Sequence, residues 1–423
     1  MDIFKDRSFI ISIIILPVIL VFRDILGINV NQIMIFMTMA ISVIVLPFRS
    51  ALCYTAFSCG IIAGVNAYFL GVAFILLLVK SKRSISFVRL LPVILLLVLE
   101  FLNNILILGN VNFAQLLLYA SYLSIFFYFL CLKGDSILYR EITVSYILGL
   151  AITLLIISFS ILQNPLIFQE GEELARGSMG VIDDDTSTHF ALNANTLAYF
   201  SIALLVILFL GYNNLKINKY LFYTLLLISV ISGVLSQSRT WLILVCVIFV
   251  MLIFCLNIRG KFKLLFLSMV FSLTAIIFYK DFIYIIYDSF FSRFNELNIE
   301  TAGGRTEIFR NYNVFMWSNP QYVLTGTGCL QYKQVAGIEN SCHNAIQQIF
   351  VSYGLVGLLI FVISYVRSMK IGNTRTSFIS YIIALTPILF IQSIQFLHPH
   401  YLMLPVAMCV IASRIPYQTK NNY

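Results

Sequence analysis

The chain has 423 residues, 60% of them hydrophobic and only 11% charged. That is several times the apolar content a soluble core of this length could bury, so a soluble globular fold is excluded and a polytopic membrane protein is expected. The net charge of +9 does not indicate nucleic acid, because the basic residues fall in short clusters between apolar runs, as membrane topology signals do.

A membrane-crossing helix needs roughly 20 mainly apolar residues. Such runs lie at 88–108, 112–132, 143–163, 193–212, 219–237, 240–257, 262–279, 344–366, 377–396 and 399–413, with further ones in the N-terminal 80 residues. The expected fold is all-α, a transmembrane helix bundle of about 12 to 14 spans forming a single membrane domain over residues 1–423. The apolar run Ser8–Phe22 has no small-residue cleavage site after it, so no cleavable signal peptide is expected. Ala51–Val79 is about one span long and contains Gly60, Gly64 and Gly71, which permit a broken or re-entrant segment. Within 88–108, Glu100 stands with Asn103 and Asn104; an ionisable group inside a span is either functional or hydrogen-bonded within the bundle, and both readings stand open.

Lys80/Lys82/Arg83, Lys133/Arg140, Lys216/Lys219, Arg259/Lys261/Lys263, Arg367/Lys370/Arg375 and Arg414/Lys420 occupy every second loop, the distribution of cytoplasmic loops. The C-terminus is then cytoplasmic. The two long polar loops, 164–192 and 280–343, fall outside and carry most of the acidic residues. Six of the eight cysteines lie in apolar runs and read as inert buried thiols. Cys329 and Cys342 share the outer loop, where an oxidising compartment would allow a disulfide, although spacing does not establish the geometry.

In the first outer loop, Arg176 stands among six carboxylates and is followed by Gly177 and Gly180, so the loop can fold back and the arginine can bind a ligand. Asp183-Asp184-Asp185 lacks the spaced oxygen ligands and turn glycine of a cation loop and reads as a solvated face. Ser236-Gln237-Ser238-Arg239 forms a tight outer turn, where a guanidinium between hydroxyls suits phosphate recognition, with snorkelling to lipid phosphate as the plainer reading. In the second loop Ile308, Tyr312, Phe315 and Met316 recur at helical spacing, which predicts an amphipathic helix over about Arg305–Trp317, stopped by Ser318-Asn319-Pro320. Gly303-Gly304 ahead of it would leave helix N–H groups open to an anion, with Arg305 adding charge. Gly326-Thr327-Gly328 has no Walker lysine and implies no nucleotide cofactor. His343 opens the span 344–366, where the helix dipole disfavours imidazolium and a neutral base results; a lone histidine in such a place is otherwise structural. His398 and His400 make a poor closed metal site and read as loop residues, and His189 is undecided. No metal and no cofactor is expected.

Together, Arg176-Gly177, Asn193-Ala194-Asn195-Thr196-Leu197-Ala198, Ser236-Gln237-Ser238-Arg239, Gly304-Arg305-Thr306-Glu307-Ile308-Phe309, Asn319-Pro320, Gly326-Thr327-Gly328 and His343-Asn344 with Gly354 and Gly357 resemble the O-antigen polymerase and O-antigen ligase superfamily of bacterial inner-membrane glycosyltransferases. The resemblance covers roughly Glu170 to Phe361; many members carry proline where this chain has Ala194. It implies a periplasmic reaction in which a saccharide hydroxyl displaces undecaprenyl diphosphate from a lipid-linked oligosaccharide. It implies further that Arg239 and Arg305, supported by Arg176 or Arg310, bind the diphosphate or acidic sugar groups, that Asn344 joins the site, and that His343 is the base or orients the acceptor. A chain-length regulator protein is an implied partner beside the bilayer and the lipid-linked glycan. The two arginine-bearing loops and the Gly-Arg-Thr-Glu-Ile-Phe helix start look more like a polymerase of surface polysaccharide than a ligase to lipid A core. A flippase or transporter of lipid-linked oligosaccharide is the reading from another class, but transporters place polar groups near the bilayer midplane, whereas here they gather at one face.

Overall fold

A computed structural model of the chain describes residues 3–61, 68–81, 87–163, 194–211, 215–236, 238–255, 305–368, 397 and 400–415. All regular structure among these residues is helical. The N-terminal part contains α1 (Arg7–Asp24), α2 (Gln32–Val45), α3 (Phe48–Gly60), α4 (Tyr68–Lys80), α5 (Phe87–Asn103), α6 (Phe113–Leu130) and α7 (Ser136–Gln163). These are followed by α8 (Ala194–Gly211), α9 (Lys219–Leu235), α10 (Arg239–Cys255), α11 (Arg305–Ser318), α12 (Pro320–Thr325), α13 (Tyr332–Ala336), α14 (Ala345–Ser368) and α15 (Leu404–Ser413). The expected break after Ala51 is present, since α3 ends at Gly60 and α4 begins at Tyr68. The expected spans 262–279 and 377–396 lie outside the described residues.

Burial sorts the helices into interior and rim. In the apolar stretch of α7, 78% of the residues are buried, against 28% in that of α5, so α7 is a core helix and α5 faces outward. Every residue from Leu404 to Ala412 of α15 is buried, and this short helix packs on α6, α7 and α8. Rows of exposed side chains, such as Ile33, Met37, Ile41 and Ile44 on α2 or Leu91, Leu95, Val98 and Leu102 on α5, would be untenable in water and form the lipid-facing surface of a polytopic membrane bundle. Among the described residues, four helices are long and apolar enough to cross a bilayer: Leu90–Ile107, Phe113–Leu130, Ser136–Phe159 and Ala345–Ser368.

In lipid the hydrophobic effect does not distinguish helix from hydrocarbon, so close packing and polar contacts hold the bundle together. Gly60 of α3 meets the backbone of Tyr146, Gly149 and Leu150 in α7, and Thr153 donates to the Gly60 carbonyl at 2.7 Å. Three cations, of which Lys80 and Arg414 were counted as topology signals, carry structural contacts. Arg49 pairs at 2.6 Å with Glu141, which is fully buried. The Lys80 ammonium donates to the Ile44 carbonyl at 2.7 Å and also to Leu46 at the end of α2. Arg414 donates to Ser368 O at 2.7 Å and Leu132 O at 2.8 Å, and also to Leu130 O. Two helix ends are thereby tied to one guanidinium, the arrangement that orphan carbonyls and the negative end of a helix dipole favour.

The feature that positions the site is a break in α14. Gly354 has φ 59° and ψ −155°, a conformation open to glycine and strained for any other residue. The carbonyls released by the break are not left bare. Val351 O accepts from Thr327 N at 2.9 Å and Thr327 Oγ1 at 3.0 Å, and Ser352 O accepts from Gly328 N at 2.8 Å. The Gly326-Thr327-Gly328 turn thus docks on a kinked helix, and a Cβ on Gly354 would stand on the Leu324 backbone. Gly354→Ala should lower stability by roughly 2 kcal/mol or more, from the combined strain and overlap. Thermal unfolding of the detergent-solubilised protein measures this, with Gly337→Ala as the reference, a glycine of the same φ sign with open space around it.

Candidate functional site

The segment 305–344 folds as a unit on its own small core. Tyr312 and Met316 of α11 point inward with Tyr332, Cys342 and Val351, and Ile308 and Phe315 pack against them. These are the four positions whose spacing predicted the amphipathic helix. α11 ends at Ser318, where Asn319 Nδ2 donates to Phe315 O at 2.8 Å and Pro320 begins α12, a first-turn position that needs no N–H. Tyr312 OH donates to Asn340 O at 2.8 Å and so holds the loop leading to His343 against α11. Cys329 and Cys342 are free thiols, both buried, and burial pushes both up from the ordinary thiol value.

This unit is pinned to the bundle by Glu100, whose role the sequence left open. The carboxyl is fully buried. Its Oε2 accepts from Cys329 N at 2.6 Å and Tyr353 OH at 2.8 Å, and its Oε1 accepts from Leu330 N at 3.0 Å and Asn104 Nδ2 at 3.0 Å. Beside it, Asn103 Nδ2 donates to Thr325 O at 3.2 Å. Both oxygens are satisfied, which is what a buried carboxyl requires. Of its two readings, hydrogen bonding within the bundle is the one observed. After α5 the helix relaxes into a π-helical turn, Asn104–Leu108, whose first residue makes one of these contacts.

At the mouth of α14, Asn344 caps the helix. Its Oδ1 accepts from Gln347 N at 2.9 Å and its carbonyl from Gln348 N at 2.9 Å. His343 precedes this cap, half-buried, and its pKa is held below the ordinary value first by burial and then by the charge of Arg305. The helix dipole invoked from the sequence is thus joined by two causes that only the folded chain shows. His343 and Asn344 stand side by side at the mouth of α14, and the charge of Arg305 reaches His343. Arg310 is exposed and lies about 140° around α11 from Arg305, on the outer face of the helix. Arg239 begins α10 beside Ser238, whose hydroxyl donates to Asn195 Oδ1 at 3.5 Å. Two of the quoted motifs therefore meet there. Arg176, His189 and Gly303-Gly304 lie outside the described residues.

Two amides that the sequence reading did not single out belong to this region. Gln347 Nε2 donates to Phe309 O at 2.7 Å and to Asn313 Oδ1 at 3.3 Å, bridging α14 to α11. The pattern Asn344-x-x-Gln347 is a capping-box spacing and marked the helix start; no local signal marked the bridge to Asn313.

Residues 224–362 match the family model for O-antigen ligase. This segment includes Arg239, Arg305, Arg310, His343 and Asn344. The family implies a glycosyltransferase-like enzyme in a membrane, acting on a lipid-linked glycan. No curated protein and no solved structure matches the chain.

Two predictions follow from the geometry. Glu100→Leu leaves four donors without their acceptor and should cost roughly 3 kcal/mol or more, whereas Glu100→Gln, which keeps one acceptor oxygen, should cost less; thermal unfolding ranks the three proteins. Because burial and Arg305 both lower the His343 pKa, the imidazole is neutral at pH 7 and gains its proton only below the ordinary value of about 6.5. Arg305→Ala should move that titration to higher pH, measured by NMR of imidazole-labelled protein.

Proposed function

Taking the matched segment as that of the O-antigen polymerase/ligase superfamily, we propose that the chain is a polymerase of surface polysaccharide, joining oligosaccharide repeat units carried on undecaprenyl diphosphate at the periplasmic face of the bacterial inner membrane. The observation that carries this reading is a half-buried His343 just before α14 whose pKa is lowered by burial and by the charge of Arg305 at the start of α11. A transfer from a diphosphate-linked sugar needs a base for the acceptor and fixed positive charge for the leaving group, and little else.

In the proposed reaction His343 accepts the proton of an acceptor-sugar hydroxyl as its oxygen forms the new bond to the anomeric carbon of the donor. The bond from that carbon to the diphosphate oxygen breaks, and undecaprenyl diphosphate leaves with the bonding pair. Arg305 faces the developing charge. Arg239, at the first position of α10, adds a second cation at a helix N-terminus, where anions are favoured; Arg176 and Arg310 support binding. Asn344 keeps the base in place through its cap and has amide hydrogens left for substrate. Because arginines supply the positive charge, we assign no metal or cofactor. A chain-length regulator belongs to this proposal as the partner of a polymerase.

The second reading, transfer of a finished glycan to lipid A core, is supported by the description of the matched family as a ligase. The alternative of a different class, a flippase of the same lipid-linked oligosaccharide, leaves the His343 and Arg305 pair without a chemical role.

Purified protein supplied with a defined lipid-linked repeat unit should make polymer. His343→Ala and Arg305→Ala should each lower the rate about 100-fold or more, and unchanged yield in both would remove the site. Activity should persist in EDTA; its abolition would overturn the metal-free assignment. In cells, deletion should leave single-repeat lipopolysaccharide, whereas lipid-linked long chains would identify a ligase and cytoplasmic accumulation a flippase.

A further inference from the structure

The span α14 gives a depth scale to everything packed against it. Exposed apolar side chains, Leu355, Leu359, Val362 and Val366, face lipid along it, and Arg367 in its last turn marks one edge of the hydrocarbon. At about 1.5 Å of rise per residue, a hydrocarbon layer of roughly 30 Å reaches back about 20 residues, to the neighbourhood of Gln347. Three contacts of the segment 305–330 can be placed on that scale. Gln347 donates to the Phe309 carbonyl at 2.7 Å, so Phe309 lies near the edge. The Trp317 ring centroid lies 6.5 Å from that of Phe350, a residue about 5 Å farther in. A Cβ on Gly354 would stand on the Leu324 backbone, which puts Leu324 about 10 Å inside. The order of these residues along α11 and α12 is the order of their depth.

The side chains at those depths are uncovered. Phe309, Val314, Trp317 and Leu324 are exposed, Trp317 by 70% and Leu324 by 59%. Beside a span and level with its hydrocarbon stretch, an exposed side chain meets acyl chains. The polar groups fit the same placement. Glu307 and Asn311 are exposed on the arc of α11 turned roughly 80° to 120° from Trp317. Arg310 belongs to the upper part of α11, and its side chain is long enough to reach headgroup phosphate. At the corner between α11 and α12, Gln321 Nε2 donates to Asn319 Oδ1 at 3.4 Å. The backbone is accounted for as well. Every N–H from Gly326 to Leu330 has a partner, in turn Tyr322 O, Val351 O, Ser352 O and the two Glu100 oxygens. Irregular backbone is tolerated at membrane depth only under that condition.

We propose that 305–330 is a re-entrant element, in which α11 and α12 descend along α14 from headgroup level into the adjoining leaflet and lipid acyl chains cover Phe309, Val314, Trp317 and Leu324. A loop resting on the end of the bundle would not reach the level of Gly354. Trp317 then takes the boundary position that amphipathic rings favour. Arg305 stands one turn above Phe309 and His343 just ahead of α14, so both are left at headgroup level. That this is the depth of a lipid-linked diphosphate rests on the function proposed above; the re-entrant placement does not.

Fluorescence quenching by lipid tests it. The chain has two tryptophans, and Trp241 is buried, so the difference between wild type and Trp317→Phe isolates the Trp317 signal. In phosphatidylcholine liposomes that signal should fall by roughly half when the lipid is brominated near the ester end of its chains, and it should resist aqueous iodide. Leu324→Trp, placed in the Trp317→Phe protein, should be quenched more strongly by lipid brominated at mid-chain. Quenching of the Trp317 signal by iodide and not by brominated lipid would overturn the proposal by placing this face in water. Resistance to both would overturn it in favour of a protein cover, such as a second copy of the chain. A Leu324→Trp signal no deeper than that of Trp317 would overturn the descent. A protein that makes no polymer in vitro and still shows the expected quenching loses the proposed reaction and keeps the re-entrant element.

Discussion

A single buried carboxyl holds the segment 305–344 to the helix bundle. Glu100 lies in an outward-facing helix whose neighbours are lipid and apolar side chains, an environment in which any unpaired polar group is expensive. Its two oxygens take two backbone N–H groups from the turn after α12, a phenol from α14 and an amide from its own helix. The chain around them is fixed by the same contacts. The turn can lie where it does only because Gly354 breaks α14 and frees the Val351 and Ser352 carbonyls. The break is tolerable in turn because the turn residues satisfy those carbonyls. Pin and kink therefore depend on each other, and both stand behind the loop that delivers His343.

This coupling accounts for what could be read from the sequence and what could not. Periodicity located α11 because its four inward positions follow local helical geometry, and Asn319-Pro320 stopped it because proline lacks a donor whatever surrounds it. The membrane-spanning runs were legible for the same reason, since length and apolarity suffice for them. Glu100 was visible as an anomaly but not as a pin. Its backbone donors lie 229 and 230 positions away, and no residue type marks a backbone N–H that is waiting for a partner. Arg414 shows the converse limit. In the sequence it is one member of a charge alternation, whereas three carbonyls, two of them from residues more than 280 positions distant, decide where its side chain goes.

Of the candidate site's residues, the fold relates some to one another and separates others. Arg305 and His343 were chosen from different arguments, a helix start and a span start, and the fold places them within electrostatic reach of each other. Arg310 was grouped with them by the family resemblance, as support for binding, but five residues of helix turn it about 140° from Arg305. Asn344 was chosen with the histidine beside it, and its oxygen proves to be committed to the helix cap. Gln347 and Asn313 went unnoticed because amides are common on helices, and only the fold brings them together as a bridge from α14 to α11.

The arrangement of Arg305 and His343 carries one more consequence for the proposed reaction. A cation beside an imidazole lowers its proton affinity, which keeps the base free but also weakens it. The same cation is the group proposed to face a diphosphate. When the anionic donor occupies that place its charge offsets that of Arg305, the smaller of the two causes that lower the His343 pKa is relieved while burial remains, and the imidazole becomes a somewhat stronger base. The histidine would then be held neutral while the site is empty and would gain basicity as the leaving group arrives. Electrostatics alone would couple donor binding to activation of the acceptor, with no movement of the chain required between the two events.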